Sequence, residues 1–166
     1  MARQPDRAIY RRRVAELLRS PPPAGDDGLI GSIQAQSHWA KYLCVLTSGY
    51  LEQSVRELLL AHSAKKSAPS ISRYVEKSWP ISRNMSCGNI SDILGRFDLS
   101  WSTKFDLWIA ANDERKTKID DIVRWRNSIA HGKEANTTGV TIASVQSSFS
   151  CACDLVDLLE ELIPIE

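Results

Sequence analysis

The sequence predicts an all-α fold, an antiparallel up-and-down bundle of four to five helices. Apolar residues recur at the three- and four-residue spacing of an amphipathic helix along most of the chain. Strand-like alternation is confined to the short stretch GVTIA, at residues 139–143. A chain of 166 residues has the length of one domain and buries a core without disulfides or metals. We therefore expect one helical bundle.

The composition is that of an ordinary globular protein, with 43% hydrophobic residues, 25% charged residues and a formal net charge of +1. Residues 1–20 contain no signal-peptide core, and the chain has no run of 18 apolar residues. The cysteines at positions 44, 87, 151 and 153 form no C-x-x-C pair, which favours buried free thiols in a reducing compartment. We expect a cytoplasmic protein that does not contact a membrane.

The N-terminal segment is basic and differs from the rest of the chain. Residues 6–19 have apolar residues at helical spacing and are followed by SPPPAGDDG, so they predict a short amphipathic helix and a loop. We divide the chain into an N-terminal basic helix with its Pro-rich loop, residues 1–24, and a single helical domain, residues 25–166.

The middle of the chain predicts one long helix and two or three short ones. A core helix is expected over residues 29–61, because no proline interrupts its apolar stripe, and Gly49 within it indicates a close helix contact. A short helix then ends before Pro80, and another covers residues 89–97. The stretch LSWSTKFDLWIA that follows is either a helix or a packed loop.

Two further helices have clear start and stop signals. Asn112 is a typical N-cap, acidic residues follow it in the first turn, and Gly132 is the expected C′ residue of a helix that ends near His131. Thr141 or Ser144 caps the last helix, which ends before a proline.

Arg126 conflicts with the apolar stripe of the helix that Asn112 starts. Its position, at 100° per residue, is near the middle of that stripe. A guanidinium there is costly unless a carboxylate pairs with it or it borders a wet cleft. Glu52 on the long helix is the natural partner, either as the counter-ion or as a supporting residue of a site. Alternatively, Glu52 and Arg56 form an ordinary i, i+4 surface pair. The apolar arc around Arg126 contains Ile119, Ile122, Val123, Ile129 and Ala130.

His131 lies about 140° from Arg126 on the same ideal helix. The two side chains can still converge, because arginine is long and the histidine stands where the helix ends. The alternative is a helix-terminal residue with no further role, since an imidazolium is favourable at a helix C-terminus. Both interpretations stay open on periodicity alone.

The order of these residues resembles a known motif. RNSIAH, from Arg126 to His131, has the R-N-x-x-x-H form of the Rx4–6H motif of the HEPN superfamily, whose helical domains include many metal-independent endoribonucleases. Gly132 follows the motif, and a final amphipathic helix comes after it. Together with the upstream segment YLCVLTSGYLEQSVRELLL, the motif is similar to the RiboL-PSP-HEPN branch and the related MAE-type families. The resemblance covers roughly residues 30–163.

The resemblance implies a HEPN-like bundle and an RNA-cleaving site built from Arg126 and His131, with Asn127 orienting the pair. In such families the active cleft forms between two protomers, so a homodimer with a composite active site is implied. No metal and no cofactor are implied, because histidine, with a reference pKa of about 6.5, exchanges the protons and arginine binds the phosphate. Lys133 stands where some nucleotidyltransferase-paired relatives have a tyrosine, so their regulation by modification is not carried over.

Two functions from different classes follow. The first is a metal-independent endoribonuclease that cleaves RNA as a toxin–antitoxin or antiphage defence effector, with a cognate antitoxin as a further partner. The alternative is a non-catalytic HEPN-like module that binds RNA or protein, or that dimerises to serve an enzyme from a neighbouring gene. Further RNA contacts, or else a solvated cationic surface, are predicted at Arg124, Lys133, Arg11, Arg12 and Arg13.

Overall fold

The computed structural model describes residues 6–20, 28–80 and 84–165 of the chain. The predicted all-α bundle is confirmed, with no strand in these described ranges. The Pro-rich loop predicted after the first helix falls on residues 21–27, outside the described residues. The helices are α1 Asp6–Arg19, α2 Gly28–Lys66, α3 Pro69–Lys77, α4 Cys87–Phe97, α5 Leu99–Ala110, α6 Asp113–Ala130 and α7 Ile142–Leu162, with a 3₁₀ turn, Glu134–Thr137, between α6 and α7.

The long helix α2 is the centre of the bundle, and α1, α6 and α7 pack around it. α4 and α5 form a helical pair that packs against α6, while α3 packs against α2. Two apolar clusters result. The main cluster joins α2, α4, α5 and α7 with the first half of α6, and the second cluster joins α2 with the second half of α6 and the start of α7. The buried members of the second cluster are Ala40, Leu43, Cys44, Ile122, Val123, Trp125, Val140 and Val145.

Ion pairs hold α1 to the bundle. Arg7 bridges α2 and α7, because its Nη1 lies 2.8 Å from Glu57 Oε1 and its Nε lies 2.6 Å from Glu160 Oε1. Arg11 pairs with Asp157 on α7. The basic helix therefore uses two of its arginines for tertiary contacts.

Asp120 joins α6 to the N-terminus of α4. Its Oδ1 accepts a hydrogen bond from the backbone N–H of Cys87 at 2.8 Å, whereas the side chain of the N-cap residue Ser86 makes no capping bond. Lys116 Nζ donates to the other oxygen at 2.6 Å. Burial acts to raise the pKa of Asp120, but the hydrogen bonds from Lys116 and Cys87 outweigh burial and hold it below the ordinary value. An ionised carboxylate therefore lies beside a helix N-terminus, where negative charge is favourable.

The predicted caps of α6 and α7 are confirmed. Asn112 Oδ1 accepts from the backbone N–H of Glu114 at 3.0 Å. Thr141 and Ser144 form a capping box at the start of α7, so both predicted candidates take part. The stretch GVTIA forms no strand, because Thr141 belongs to this cap and Val140 is buried in the second cluster.

Two helices differ from the sequence prediction, because α2 is longer than expected and the stretch left open between helix and loop is helical. α2 continues to Lys66, past the predicted end at residue 61, and Ser63 in the added turn is buried. His62 Nδ1 donates to the carbonyl of Pro164 at 2.7 Å, which ties this turn to the end of α7. The stretch left open between helix and loop is α5, whose N-cap Asp98 accepts from a backbone N–H through its side chain. A tertiary contact therefore sets the end of α2, and an N-cap sets the start of α5.

The close helix contact expected at Gly49 is wrong. A Cβ built on Gly49 would meet no heavy atom within 4 Å outside the helix's own backbone. The close approach is instead at Gly139, where a Cβ would lie 3.1 Å from the ring of Trp125. Gly139 thus admits the indole that closes the second cluster.

α7 is a core helix. By length and composition it is apolar enough to cross a membrane, and it is the one helix in the described ranges that meets this criterion. However, 50% of that stretch is buried inside the bundle, where Phe149, Leu155 and Leu159 join the main cluster. Core packing explains its apolar character.

The cysteines are free and buried, as the sequence predicted. Burial raises the pKa of Cys44 and that of Cys87 to about 12. Both thiols are therefore protonated at neutral pH and pack as small apolar groups. Cys44 Sγ lies 3.7 Å from the carbonyl oxygen of Ile122 and so links α2 to α6.

Candidate functional site

The C-terminal end of α6 has a fixed backbone geometry. His131 is the C-cap, and Gly132 follows with a positive φ of 65°. The Gly132 N–H donates to the carbonyl of Ile129 at 3.1 Å, and the Lys133 N–H donates to that of Ser128 at 2.9 Å. These two bonds form a Schellman motif, which requires the left-handed conformation that glycine adopts readily. The backbone on both sides of His131 is thereby held in place.

One side of this helix end borders a polar cleft of about 440 Å³, which we call the motif cleft. α6 forms one wall, and the start of α4 with the segment before it forms the other. Amides, hydroxyls and cations dominate the lining, so the cleft suits a polar, negatively charged ligand. The lining residues are Asn84, Ser86, Asn89, Asp120, Val123, Arg124, Asn127, Ser128, His131, Lys133 and Asn136.

Asn84 and Asn89 form a fixed amide pair on the α4 wall. Asn89 Nδ2 donates to Asn84 Oδ1 at 2.9 Å and to the Asn84 carbonyl at 2.8 Å. Both bonds use acceptors of Asn84, and no described group accepts from its side-chain NH2. This NH2 group is therefore a donor available to a ligand in the cleft.

Two cations, Arg124 and Lys133, lie at the α6 end of the motif cleft beside His131. Arg124 Nη2 lies 2.6 Å from Asp121 Oδ1, whereas no described carboxylate pairs with His131 or Lys133, and both of these side chains are exposed. Asp120, the carboxylate in the lining, is engaged by its two hydrogen bonds. Among the described residues, no three His, Cys, Asp or Glu side chains form a group that could hold a metal ion. An anion entering the cleft meets cations and N–H donors.

Arg126 lies outside the lining of the motif cleft. Its side chain is partly buried, and its Nη1 donates to Asn127 Oδ1 at 3.2 Å, while Asn127 itself lines the cleft. No carboxylate of the described side chains lies within ion-pair distance of Arg126. Asn127 therefore connects Arg126 to the cleft in which His131 lies.

Glu52 does not pair with Arg126 or with Arg56 in the described part of the chain. It accepts a long hydrogen bond from Ser48 Oγ at 3.5 Å. It lines a separate cavity together with Arg56 and Trp79, on the α3 side of α2. The predicted supporting residue is thus not in the motif cleft of the protomer.

The arginine run of α1 is also outside the motif cleft. Arg11 is used by its ion pair with Asp157, and Arg12 lies 3.9 Å from Glu16 on the same exposed helix face. Arg13 is exposed. Of the predicted RNA-contacting cations, only Arg124 and Lys133 are among the described lining residues of the cleft.

Sequence reasoning missed the amides that complete the cleft. Asn84, Asn89 and Asn136 lie in the polar segments NMSCGN and KEANTT. These segments are recognisable as loops or helix starts, but nothing in their spacing relates them to α6. Only the tertiary fold brings them together.

Fold and cleft together define a class, a small all-α bundle with a positively charged cleft at the end of its motif helix. The family model described as RiboL-PSP-HEPN matches residues 10–164. The chain belongs to the RiboL-PSP-HEPN family. The match begins within α1 and so extends beyond residues 30–163, the segment on which the resemblance rests.

Membership of this family implies a ribonuclease, and it suggests an RNA substrate and a dimer. Comparison with curated proteins and comparison with solved structures each returned no match. The roles of particular residues are therefore argued from the geometry of the motif cleft.

Proposed function

We propose that this protein is a metal-independent endoribonuclease in which Arg126 and His131 are the catalytic residues and Asn127 positions them. The observation that carries the proposal is the pattern of partners at the end of α6. His131 is exposed at the motif cleft, and the partner of Arg126 among the described side chains is the amide of Asn127, with no described carboxylate in ion-pair distance. An arginine with a purely structural role in a partly buried position is normally paired. The guanidinium of Arg126 is therefore available to bind an anion.

The chemistry needs two proton transfers and stabilisation of negative charge. The 2′-oxygen of a ribose attacks the adjacent phosphorus, and the P–5′-O bond breaks as the 2′-O–P bond forms. His131 removes the proton from the 2′-hydroxyl or delivers the proton to the leaving 5′-oxygen. Arg126 donates two N–H groups to the phosphate oxygens, whose charge increases in the transition state. The products are a 2′,3′-cyclic phosphate and a 5′-hydroxyl.

The active form that we infer is a homodimer with a shared site. Arg126 and His131 project from faces of α6 about 140° apart on an ideal helix, which separates them within one protomer. A second copy of the motif helix would place the partner's arginine beside the histidine. α2 offers apolar surface for such a contact, since Tyr42 and Val45 are 42% and 38% exposed and Gly49 on the same face leaves open space.

RNA cleavage without metal tests the catalytic proposal. Purified protein incubated with single-stranded RNA in excess EDTA is expected to leave 2′,3′-cyclic phosphate and 5′-hydroxyl ends. His131→Ala and Arg126→Ala are expected to abolish most of this cleavage. Intact RNA with the native protein, or cleavage by both variants at the native rate, would contradict the proposal.

Mixing the two inactive variants tests the shared site. His131→Ala subunits still provide Arg126, and Arg126→Ala subunits still provide His131, so heterodimers contain one native copy of each. We expect measurable activity to return on mixing after subunit exchange. Activity that stays at the level of the separate variants, although exchange is demonstrated, would place both residues of each site in one protomer.

The biological role that we propose is a cytoplasmic toxin–antitoxin or antiphage effector held in check by a cognate antitoxin protein. Expression of the native protein is then expected to arrest growth, and expression of His131→Ala is not. The same comparison addresses the second candidate, a non-catalytic module that binds RNA or protein. The separation of Arg126 from the cleft lining favours that candidate, for which both proteins would have the same effect on growth and neither would cleave RNA.

A further inference from the structure

α3 is an amphipathic helix whose apolar face is left open. Ile71, Tyr74 and Val75 fall on one face at 100° per residue. Nevertheless, no residue of α3 is buried, and Ile71 and Tyr74 are 54% and 70% exposed. Exposed apolar surface of this kind, concentrated in one place, marks a binding surface more often than a solvated one.

A cavity of about 460 Å³ lies between this face and α4, and we call it the α3–α4 pocket. Its volume falls within the range of roughly 300–1,000 Å³ that is typical of small-molecule sites. Three aromatic side chains line it: Tyr74 from α3, Trp79 from the segment that follows, and Phe97 from α4. Aromatic side chains in such number provide surfaces on which a planar ring stacks.

The charge of the pocket complements an anion. Arg96 lines it, and no Asp or Glu is among its described lining residues. Arg96 Nη2 lies 3.0 Å from Asp92 Oδ2 on the same helix, and the two side chains are 62% and 47% exposed. An exposed pair of this kind contributes little free energy, so a phosphate can replace the carboxylate. Aromatic side chains beside a cation are the combination with which proteins hold an unpaired nucleobase and its phosphate.

His62, which also lines the pocket, has a fixed ring orientation. Its Nδ1 lies 2.7 Å from the carbonyl oxygen of Pro164, and a carbonyl can only accept, so Nδ1 carries the hydrogen. The ring also packs edge-on against Trp101, with 5.0 Å between centroids.

The pocket and the motif cleft lie along one face of α4. Asn89 lines the cleft, whereas Ile93 and Arg96 line the pocket, and these three positions share a face of the helix. From Asn89 to Arg96 the helix rises by about 10 Å. The spacing of the two sites along α4 is therefore one that a single RNA strand of a few nucleotides can span.

We propose that the α3–α4 pocket binds a nucleobase and the adjacent phosphate of the RNA strand whose backbone occupies the motif cleft. The inference rests on the proposed ribonuclease function for its substrate. Tyr74 and Trp79 stack the base, and Arg96 binds the phosphate. The pocket thereby holds the substrate at a nucleotide away from the scissile bond, and it favours oligonucleotides over dinucleotides.

Binding is measured with full-length His131→Ala protein and a fluorescently labelled, single-stranded oligoribonucleotide, by anisotropy. The double variant His131→Ala, Tyr74→Ala is expected to bind on the order of tenfold more weakly than the His131→Ala protein. With Tyr74→Phe instead, which retains the ring, binding is expected to equal that of the His131→Ala protein. Tyr10→Ala is the matched control, because Tyr10 is 40% exposed on α1 and lines neither site. Equal binding by the Tyr74→Ala and Tyr10→Ala proteins would overturn the inference.

The phosphate contact has its own readout. Arg96→Gln is expected to make the negative slope of log K against log salt about 0.7 less steep, the value for one phosphate contact on a single strand. An unchanged slope would overturn the assignment of Arg96. Thermal unfolding of each variant checks that the exposed substitutions leave the fold intact.

Two further comparisons separate the pocket from the catalytic proposal and identify the source of the nucleotide. With the native His131, Tyr74→Ala is expected to raise KM for the oligoribonucleotide more than KM for a dinucleotide, because a dinucleotide in the motif cleft does not extend to the pocket. Tyr74-dependent binding by a protein that does not cleave RNA would support the pocket and contradict the ribonuclease. Cleavage of both substrates that does not depend on Tyr74 would support the ribonuclease and contradict the pocket. Nucleoside monophosphate that displaces the oligoribonucleotide only when Tyr74 is present would show that the pocket also accepts a free nucleotide.

Discussion

Arg7 on α1 and Arg126 at the end of α6 have opposite electrostatic surroundings. On α1, the side chain of Arg7 is only 14% exposed and lies between two carboxylates, Glu57 and Glu160, at 2.8 and 2.6 Å. At the end of α6, Arg126 is also partly buried, but its described polar contact is the amide oxygen of Asn127 at 3.2 Å. Two carboxylates neutralise Arg7, whereas Arg126 has no carboxylate partner among the described side chains.

This difference separates an arginine that serves the fold from one that is available to a ligand. Carboxylates compensate a guanidinium for its lost hydration, and they also cancel its attraction for phosphate. An amide oxygen orients the guanidinium without cancelling its charge. Glu52, the counter-ion expected for Arg126 on the apolar stripe of α6, lies elsewhere. The guanidinium is therefore oriented by Asn127 and stays available to a ligand.

The largest expected effect comes from Arg126→Ala. We expect kcat/KM for RNA to fall roughly 10²- to 10³-fold, because a donor to the transition-state charge is lost. Arg126→Lys is expected to recover only part of the activity, since lysine lacks the planar fork. Cleavage assays with thermal unfolding measure both effects. Arg19→Ala, an exposed arginine on α1, is the control. A large loss of stability with unchanged activity per folded molecule would make Arg126 a structural residue like Arg7.

Arg7→Ala is expected to show the opposite pattern. Removing the guanidinium leaves Glu160 without this partner and Glu57 with only the backbone N–H of residue 7, so the free energy of unfolding should fall by about 2 kcal/mol. Activity per folded molecule should stay the same. Urea denaturation measures the change, and Arg12→Ala is the matched control, because its exposed pair with Glu16 contributes less than about 1 kcal/mol. A loss of activity without loss of stability would mean that α1 takes part in the site.

Gly132→Ala is expected to cost about 1 kcal/mol. The positive φ of 65° places a Cβ against the neighbouring carbonyl, although the surrounding space is open. Because this residue fixes the backbone after His131, we also expect kcat to fall. Gly88→Ala in α4 is the comparison, since a Cβ there meets no heavy atom within 4 Å outside the helix's own backbone and φ is not positive. Equal stability of the two variants would contradict the role of the left-handed cap.

Asp120→Asn is expected to have the smallest effect, about 0.5 kcal/mol at neutral pH, because solvent screens the partly exposed carboxylate. The pKa of Asp120 in the folded protein lies below its ordinary value, so the ionised group stabilises the fold above the ordinary aspartate range. That contribution is lost as the pH falls through the folded pKa. Unfolding curves of native and Asp120→Asn protein should therefore converge at acidic pH. A constant difference across pH would show that charge is not the cause.

Local signals account for the parts of the fold that the sequence predicted well. The ends of α6 and the start of α7 depend on Asn112, Gly132, Thr141 and Ser144, whose hydrogen bonds join residues close in the chain. The last turn of α2 depends instead on the long-range bond from His62 to Pro164, and its extent was underestimated. The amide wall of the motif cleft depends on the same kind of long-range contact.

The sequence by itself determined the all-α class, the family and the motif residues, because helix periodicity, caps and the order R-N-x-x-x-H are local properties of the chain. Only the tertiary structure decided which face of α6 is open. A helical wheel assigns one buried face to the whole helix, but the packing partners change along α6. Ile119 belongs to the main cluster, whereas Trp125 is in the second cluster and Ala130, on the predicted stripe, is exposed. Arg126 lies on the face that is core at the start of α6 and open at its end.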